Sequence, residues 1–397
     1  MQAGLIRRLA AVFVAITVAC ALPAAAQPAP FTINVILSLT GNAANLGQDQ
    51  QAGLVAFEHY FNHAGGFHGT PLHFQVADDQ SSPAVAVQLF QQALASHPAV
   101  VLGSSIAAQS QAMAALVKDK DGPVLYALTP NMLPTPGGYV FSTSAPTSDL
   151  SGIGVTYYRL RGFTKIGVLI TNDASGQNNL SSLEAAMSKP ANKNMQIVDV
   201  ERFAIGDVSI TAQAEKLKTS GAQVLVALPN GASFGTALHG LSDVGLLGLP
   251  TYTSAANFVP VLLTPLKSIL PTELDCSGPS FFNRNRVASD PQKKPIDDFY
   301  AALAADGITQ PNVNHVFAWD PALIVTTVLQ RLGTSATAEQ IHDAIEKLRN
   351  FPGAGGIYDF SVNDQHGTGE SGLLMLRDDN DHPGHTIIAS KQGGAPL

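Results

Sequence analysis

Charged residues are scarce in this chain of 397 residues: they make up 13% of it, against 45% hydrophobic residues. So apolar and weakly charged a composition excludes an intrinsically disordered chain. The 22 lysines and arginines are outnumbered by 30 aspartates and glutamates, which gives a net charge of −8. That balance argues against a partner made of nucleic acid, because binding nucleic acid requires a basic patch or stripe.

Cysteine is nearly absent, since Cys20 and Cys276 are the only two in the chain. Two cysteines exclude a disulfide-rich scaffold and a four-cysteine zinc site. The histidines are scattered and form no clear set of metal ligands, so we expect neither a metal nor a cofactor. Cys276 is interpreted as a small buried apolar residue, because nothing places a histidine beside it.

Long apolar runs are confined to the first 30 residues, so no later stretch is expected to span a bilayer. Arg7 and Arg8 precede an apolar run over residues 9–22, and three alanines at 24–26 supply an A-x-A cleavage site. This pattern predicts a secretory signal peptide over residues 1–26 and a soluble periplasmic protein of 397 − 26 = 371 residues. The alternative is a lipoprotein signal ending at Cys20, although the usual leucine three residues before the cysteine is missing.

Downstream of residue 30, β-like and helix-like segments alternate. Strands are predicted at 31–38, 72–77, 99–102, 123–127, 165–170, 196–200, 223–228 and 250–253. Helices are predicted at 46–63, 83–94, 107–117, 149–158, 180–187, 210–219 and 234–244. This alternation predicts two α/β halves, each a parallel sheet covered by helices on both faces. A connecting strand (275–281), three helices (295–304, 316–332 and 338–348) and three terminal β segments (356–360, 372–377 and 386–389) follow.

Ligands of open α/β sheets bind beyond the carboxyl ends of the strands. The corresponding loops are rich in Ser, Thr, Asn and Gly and nearly devoid of Lys and Arg: 39–47, 78–82, 103–108, 127–131, 171–176, 229–233 and 253–257. Such loops offer hydroxyls and backbone N–H groups to a small polar or anionic ligand. The alternative is that these residues serve only as helix N-caps.

A set of residues, many of them glycine, follows a characteristic order along the chain: Leu39-Thr40-Gly41, Ala44, Gly47, Gly53, Asn62, Gly65-Gly66, Gly69, Asp78-Asp79, Pro83, Ala86, Gly103-Ser104-Ser105, Trp319-Asp320 and the stretch 353–360. In its order and spacing, this set resembles periplasmic solute-binding proteins of the branched-chain amino acid uptake type. The resemblance covers nearly the whole mature chain. It implies a monomer, without enzymatic activity, that delivers a captured solute to the membrane permease of an ATP-driven (ABC) importer.

The resemblance also implies the type I periplasmic binding fold, in which two doubly wound α/β lobes are joined by three crossover segments. We expect the crossovers near 141–145, 275–279 and 353–356. Lobe 1 would then comprise 27–142 plus 279–352, and lobe 2 would comprise 143–278 plus 353–397.

The same resemblance implies site residues. Ser105 matches a serine that holds the ligand carboxylate, and Ala127-Leu128-Thr129 matches a turn that completes the clamp. The second half of the family site is altered: Leu46 replaces an aromatic residue, and Asp173-Ala174-Ser175-Gly176 replaces a Tyr-Gly pair.

An acidic residue that pairs with a ligand ammonium is expected within 253–257, but that loop contains neither Asp nor Glu. Asp173, Ser175, Asn230, Ser254 and Asn257 complete the predicted site. Because a buried ammonium without a carboxylate is costly, we expect a small carboxylate rather than an amino acid.

Two other functions are compatible with parts of the sequence. Gly231-Ala232-Ser233-Phe234-Gly235 matches the G-x-S-x-G elbow of serine hydrolases, and Asp359 and His366 follow in the right order for a triad. The alternative is that this segment is the N-terminus of a helix that lines the cleft and has no catalytic role. A soluble sensing partner of a membrane receptor would use the same fold.

Overall fold

The computed structural model describes residues 29–282, 284, 290–361 and 363–397. The predicted signal peptide and Cys20 lie outside the described residues. Within the described residues, no helix is both long and apolar enough to cross a membrane.

The first sheet has five parallel strands in the order β2-β1-β3-β4-β5. The strands are β1 (Phe31–Leu37), β2 (Leu72–Asp78), β3 (Val100–Gly103), β4 (Val124–Ala127) and β5 (Val140–Ser142). The helices between them are α1 (Ala44–His63), α2 (Pro83–Leu94) and α3 (Ala107–Ala114). Every residue of β3 and β4 is buried, as expected for apolar strands that helices cover on both faces.

The second sheet begins after β5 and contains a parallel run of strands. These are β6 (Lys165–Thr171), β7 (Gln196–Phe203), β8 (Val224–Ala227), β9 (Thr251–Ser254) and β10 (Leu274–Pro279). The helices of this lobe are α4 (Thr147–Leu160), α5 (Ala174–Met187), α6 (Thr211–Thr219), α7 (Ala232–Asp243) and the short α8 (Pro260–Leu263). The predicted connecting strand is thus an integral strand, since β10 pairs in parallel with β9.

Three late helices return to the first lobe: α9 (Lys293–Ala305), α10 (Val313–Leu332) and α11 (Ala338–Glu346). Helices α9 and α10 pack against α1, and α11 packs against β4. At the contact of α1 with α10, the rings of Phe57 and Trp319 meet edge to face, with their centroids 5.0 Å apart. The second crossover therefore follows β10, since the ring of Phe281 already packs edge to face on that of Phe299 in α9.

The hairpin of β11 (Phe351–Pro352) and β12 (Ile357–Tyr358) is tied to α10 through a buried carboxylate. Asp320 accepts hydrogen bonds from the backbone N–H groups of Ala354 (2.9 Å) and Gly355 (2.7 Å) and from the Tyr358 hydroxyl (2.7 Å). Burial raises the pKa of Asp320 to about 6. A buried carboxylate needs such donors, and these three hydrogen bonds hold the hairpin on the first lobe.

Two antiparallel strands, β13 (Leu373–Asp378) and β14 (Thr386–Ile388), complete the second sheet in the order β14-β13-β10-β9-β8-β6-β7. The ring of Phe360 still packs on that of Phe141 in β5. The third crossover therefore runs after Phe360, later than the predicted 353–356, and residues 353–360 pack with the first lobe. The expectation of two α/β lobes is confirmed.

Candidate ligand-binding site

A cavity lies between the two lobes, and both lobes contribute residues to its wall. The first lobe contributes Leu46, Gln50, Ser105, Thr129, Pro130, Asn131, Asn314 and Phe317. The second lobe contributes Thr147, Leu150, Ser151, Asn179, Leu228, Asn230, Tyr252, Ser254, Ala255, Ala256, Ser277 and Pro279. The predicted residues Leu46, Ser105, Thr129, Asn230 and Ser254 are thus brought together.

The parallel strands explain why these residues meet. Ser105 follows β3, Thr129 follows β4, Asn230 follows β8 and Ser254 ends β9. The carboxyl ends of parallel strands share one edge of a sheet, and the two sheets turn these edges toward each other across the cavity.

Two hydroxyls on the first-lobe wall are positioned by the backbone. Ser105 Oγ accepts the N–H of Ser38 at 3.1 Å, and Thr129 Oγ1 accepts the N–H of Asn131 at 3.3 Å. Both side chains are buried. Because each oxygen already accepts a hydrogen bond, each hydroxyl proton can be donated to a ligand oxygen.

The cavity wall is electrically neutral. Among its lining residues in the described part of the chain, none is Asp, Glu, Lys, Arg or His. Tyr252 supplies an aromatic surface, and its hydroxyl lies 2.6 Å from Ser277 Oγ and 3.0 Å from the carbonyl oxygen of Leu150. Burial raises the pKa of Tyr252 far above its usual value, so this phenol also stays uncharged.

Five residues predicted for the site do not line the cavity, beginning with the turn after β4. Ala127 is fully buried within β4, and the Leu128 side chain lies in the hydrophobic core. The carbonyl oxygen of Leu128 accepts the side-chain N–H of Gln50 at 2.6 Å. The turn thus positions Gln50, while Thr129 is its one side chain on the wall.

The other three such residues have structural partners in the second lobe. Asp173 is the N-cap of α5 and accepts the Gly176 N–H at 3.0 Å. The Ser175 carbonyl accepts the Asn131 amide at 3.1 Å. Asn257 binds the Gly231 N–H, the Pro229 carbonyl and the Thr253 hydroxyl. Asp173 and Asn257 therefore shape the loops beside the cavity.

Sequence reasoning missed several wall residues, notably Gln50, Asn131, Tyr252 and Asn314. Gln50 lies one helical turn beyond Leu46 on α1, so the i, i+4 relation could have identified it. Asn131 lies in the loop 127–131, which is predicted to face the ligand. Asn314 comes from α10, which no local signal links to the other wall residues.

Asn42, which precedes α1, bridges the two lobes beside Asn230, one of the residues that line the cavity. Its Oδ1 accepts hydrogen bonds from the Ser233 N–H (3.2 Å) and Oγ–H (3.0 Å), and its Nδ2 donates to the Asn230 carbonyl at 3.4 Å. Asn42 and Ser233 belong to different lobes. These contacts hold the lobes in a closed arrangement.

The G-x-S-x-G motif is part of this bridge. Ser233 lies in the first turn of α7, and its hydroxyl donates to Asn42 rather than to a histidine. His366 and Asp359 line a separate cavity, and Ser233 is not among the residues that line it. A hydrolase triad is therefore not assembled. In the described part of the chain, no cluster of three or more His, Cys, Asp or Glu side chains could hold a metal ion.

Comparisons with known proteins agree with this architecture. The family model described as periplasmic binding protein matches residues 30–381. No curated protein sequence matches the chain.

Several solved structures share the fold. An extracellular ligand-binding receptor from Rhodopseudomonas palustris HaA2 is 20% identical, with a TM-score of 0.79, covering 91% of this chain and 99% of its own. A branched-chain amino acid transporter substrate-binding protein from Streptococcus pneumoniae, in complex with isoleucine, is 19% identical (TM-score 0.73; 90% and 99% covered). An ABC transporter solute-binding protein from R. palustris, in complex with benzoate, is 16% identical (TM-score 0.73; 93% and 100% covered). The two-lobed fold and the match over most of its length together show that this chain belongs to the periplasmic binding protein family.

Proposed function

We propose that this protein is the periplasmic solute-binding component of an ABC importer. It captures one small carboxylate between its lobes and delivers it to a membrane permease, without catalysing a reaction. The observation that carries the proposal is the closed interlobe cavity, with the hydroxyls of Ser105 and Thr129 on one wall. Solved relatives of the same fold hold isoleucine and benzoate, both of which carry a carboxylate.

A carboxylate is favoured by the donors at this wall. Hydrogen bonds from neutral hydroxyls to an anion contribute about 1.5–3 kcal/mol each. A ligand ammonium is disfavoured, since the described wall residues include no carboxylate and a buried unpaired cation is costly. Apolar or aromatic acids therefore rank above leucine, isoleucine and valine.

Calorimetric titration of the wild type, Ser105→Ala and Thr129→Val with a panel of small acids tests this function. The panel comprises benzoate, 3-methylbutanoate, their hydroxylated derivatives, branched-chain keto acids, and the matching amino acids. Each variant should bind the acid that the wild type binds most tightly with about tenfold lower affinity. Each substitution removes a hydrogen bond of at least about 1.5 kcal/mol, and about 1.4 kcal/mol corresponds to a factor of ten in the dissociation constant.

Ser96→Ala is the matched control, because Ser96 is exposed just after α2 and its hydroxyl donates to the carbonyl of Ala93 in that helix. Native mass spectrometry of the purified protein would reveal a retained acid directly. Unchanged affinity in both wall variants, or tight binding of a branched-chain amino acid with no binding of any acid, would contradict the proposal.

A further inference from the structure

Three buried amides on the first-lobe wall of the cavity have an unusual feature in common. Gln50, Asn131 and Asn314 are 1%, 8% and 0% exposed. The side-chain carbonyl oxygen of each has no hydrogen-bond partner in the protein. All three residues line the interlobe cavity, as does Asn230 of the second lobe, whose buried side-chain oxygen is also unpaired. One small site therefore holds four acceptors that the protein itself does not satisfy.

The orientation of each amide is fixed by its nitrogen. The Gln50 amide donates to the Leu128 carbonyl at 2.6 Å, and the Asn131 amide donates to the Ser175 carbonyl at 3.1 Å. The Asn314 amide donates to the Asp49 carboxylate at 3.0 Å. Rotating any of these amides would place its oxygen against another oxygen, so the unpaired atom is the acceptor in all three.

A buried acceptor without a donor destabilises the state in which it is buried. Closure of the lobes is therefore most favourable when the captured molecule brings donors to these oxygens. We infer that the solute carries, beside its carboxylate, at least one neutral hydrogen-bond donor, a hydroxyl group, that the amide oxygens of Gln50, Asn131 and Asn314 receive. This inference rests on the proposed function and narrows it to hydroxylated carboxylic acids.

The alternative donor is an ammonium group, which the charges near the site disfavour. The described wall residues include no carboxylate. Asp49 lies behind the wall, where its Oδ2 already accepts the amides of Asn312 and Asn314. Amide oxygens alone solvate a buried cation poorly, whereas a hydroxyl needs only one acceptor. The wall thus offers donors at Ser105 and Thr129 and acceptors at the three amides, which complements a molecule with both groups.

Sets of acids that share one carbon skeleton test the inference by calorimetry on the mature protein. The aliphatic set is 3-methylbutanoate, 2-hydroxy-3-methylbutanoate and valine, and the aromatic set is benzoate, its three hydroxy isomers and the matching aminobenzoates. At least one hydroxylated acid should bind about tenfold or more tightly than its parent acid. Valine should bind more weakly than its hydroxy counterpart.

The ratio of the parent's Kd to the hydroxy acid's Kd identifies the residues responsible. Gln50→Met and Asn314→Leu should each reduce this ratio several-fold while leaving the parent acid bound. Asn257→Ala is the matched control, because its amide lies beside the cavity with its oxygen and nitrogen already paired to the protein. General loosening of the site by any variant weakens both acids equally and leaves the ratio unchanged.

The outcomes separate this inference from the proposed function. If acids bind but no hydroxylated acid binds more tightly than its parent, the oxygens are served by water and the inference alone is overturned. If valine binds more tightly than its hydroxy counterpart, the donor is an ammonium and the inference is again overturned. If no acid of either set binds, the carboxylate proposal and the inference are both overturned.

Discussion

Replacing Asn42 with alanine should weaken ligand binding by loosening the closed arrangement of the lobes. The Asn42 side chain makes three hydrogen bonds to the other lobe, two with Ser233 and one with the Asn230 carbonyl. The substitution removes all three, while the weak backbone contact between the Ala232 N–H and the Asn42 carbonyl, at 3.4 Å, can remain.

The magnitude follows from the geometry of these bonds. A neutral hydrogen bond contributes about 0.5–1.5 kcal/mol net. Because Asn42 is half-buried and one of its bonds is 3.4 Å long, we take the lower limit, which gives about 1.5 kcal/mol for the three. If capture requires closure, this loss appears in the dissociation constant as roughly a tenfold increase. Most of the change should lie in the dissociation rate.

Calorimetry and stopped-flow dissociation measure this effect, and small-angle scattering reports the separation of the lobes. The radius of gyration of the ligand-free variant should increase, whereas the free energy of unfolding of each lobe should change little. Asn194→Ala is the control, since Asn194 is an exposed turn residue of the second lobe. An unchanged dissociation constant together with an unchanged radius of gyration would refute the assignment of Asn42 as an interlobe bridge.

Three further perturbations have definite expected outcomes. Gly231→Ala should weaken binding more than Asn42→Ala, because its Cβ would lie 2.2 Å from the Asn42 carbonyl oxygen; Gly221→Ala, also at positive φ but in open space, should leave the affinity unchanged. A serine-reactive fluorophosphonate should not label Ser233, and stoichiometric labelling there would restore the hydrolase hypothesis. Burial lowers the pKa of His366 to about 4, against roughly 6.5 in the unfolded chain. The neutral side chain therefore contributes about 3 kcal/mol to the free energy of unfolding above pH 6.5, and this contribution is lost as the pH falls toward 4. Urea unfolding at pH 7 and 4.5 should therefore show a smaller decrease in the free energy of unfolding for His366→Gln than for the wild type. Equal decreases in the two proteins would contradict this prediction.

Much of the fold was predictable because its causes are local. A parallel strand buried on both faces must be apolar at nearly every position, and β3 and β4 show this directly in the sequence. Ser105 and Thr129 were predicted to line the ligand site for a related reason: they lie just beyond the carboxyl ends of those strands, at the edge of the sheet where ligands of this architecture bind. Their residue type, position in the loop and likeness to the family all indicated the same role.

The acceptor side of the cavity could not be predicted in this way. Gln50 and Asn314 lie in helices, where an amide is as compatible with an exposed surface as with a ligand site. Their role depends on which atoms are left unpaired once Leu128 and Asp49 have taken their nitrogens, and those partners are chosen only in the folded chain. For Asp173 and Asn257 the opposite happened: their position in loops predicted contact with the ligand, but their polar groups bind backbone groups of neighbouring residues instead.

The sequence by itself determined the alternation of strands and helices, the two α/β halves and the polar loops that face each other, because hydrophobic periodicity and turn residues act over a few neighbours. The tertiary structure alone decided where the chain crosses between lobes and how the cavity closes. Asp320 holds the hairpin of β11 and β12 on the first lobe from 34 residues away, and Asn42 reaches Ser233 across 191 residues. Such pairings satisfy buried polar groups that have no local partner, so only the packed lobes could fix them.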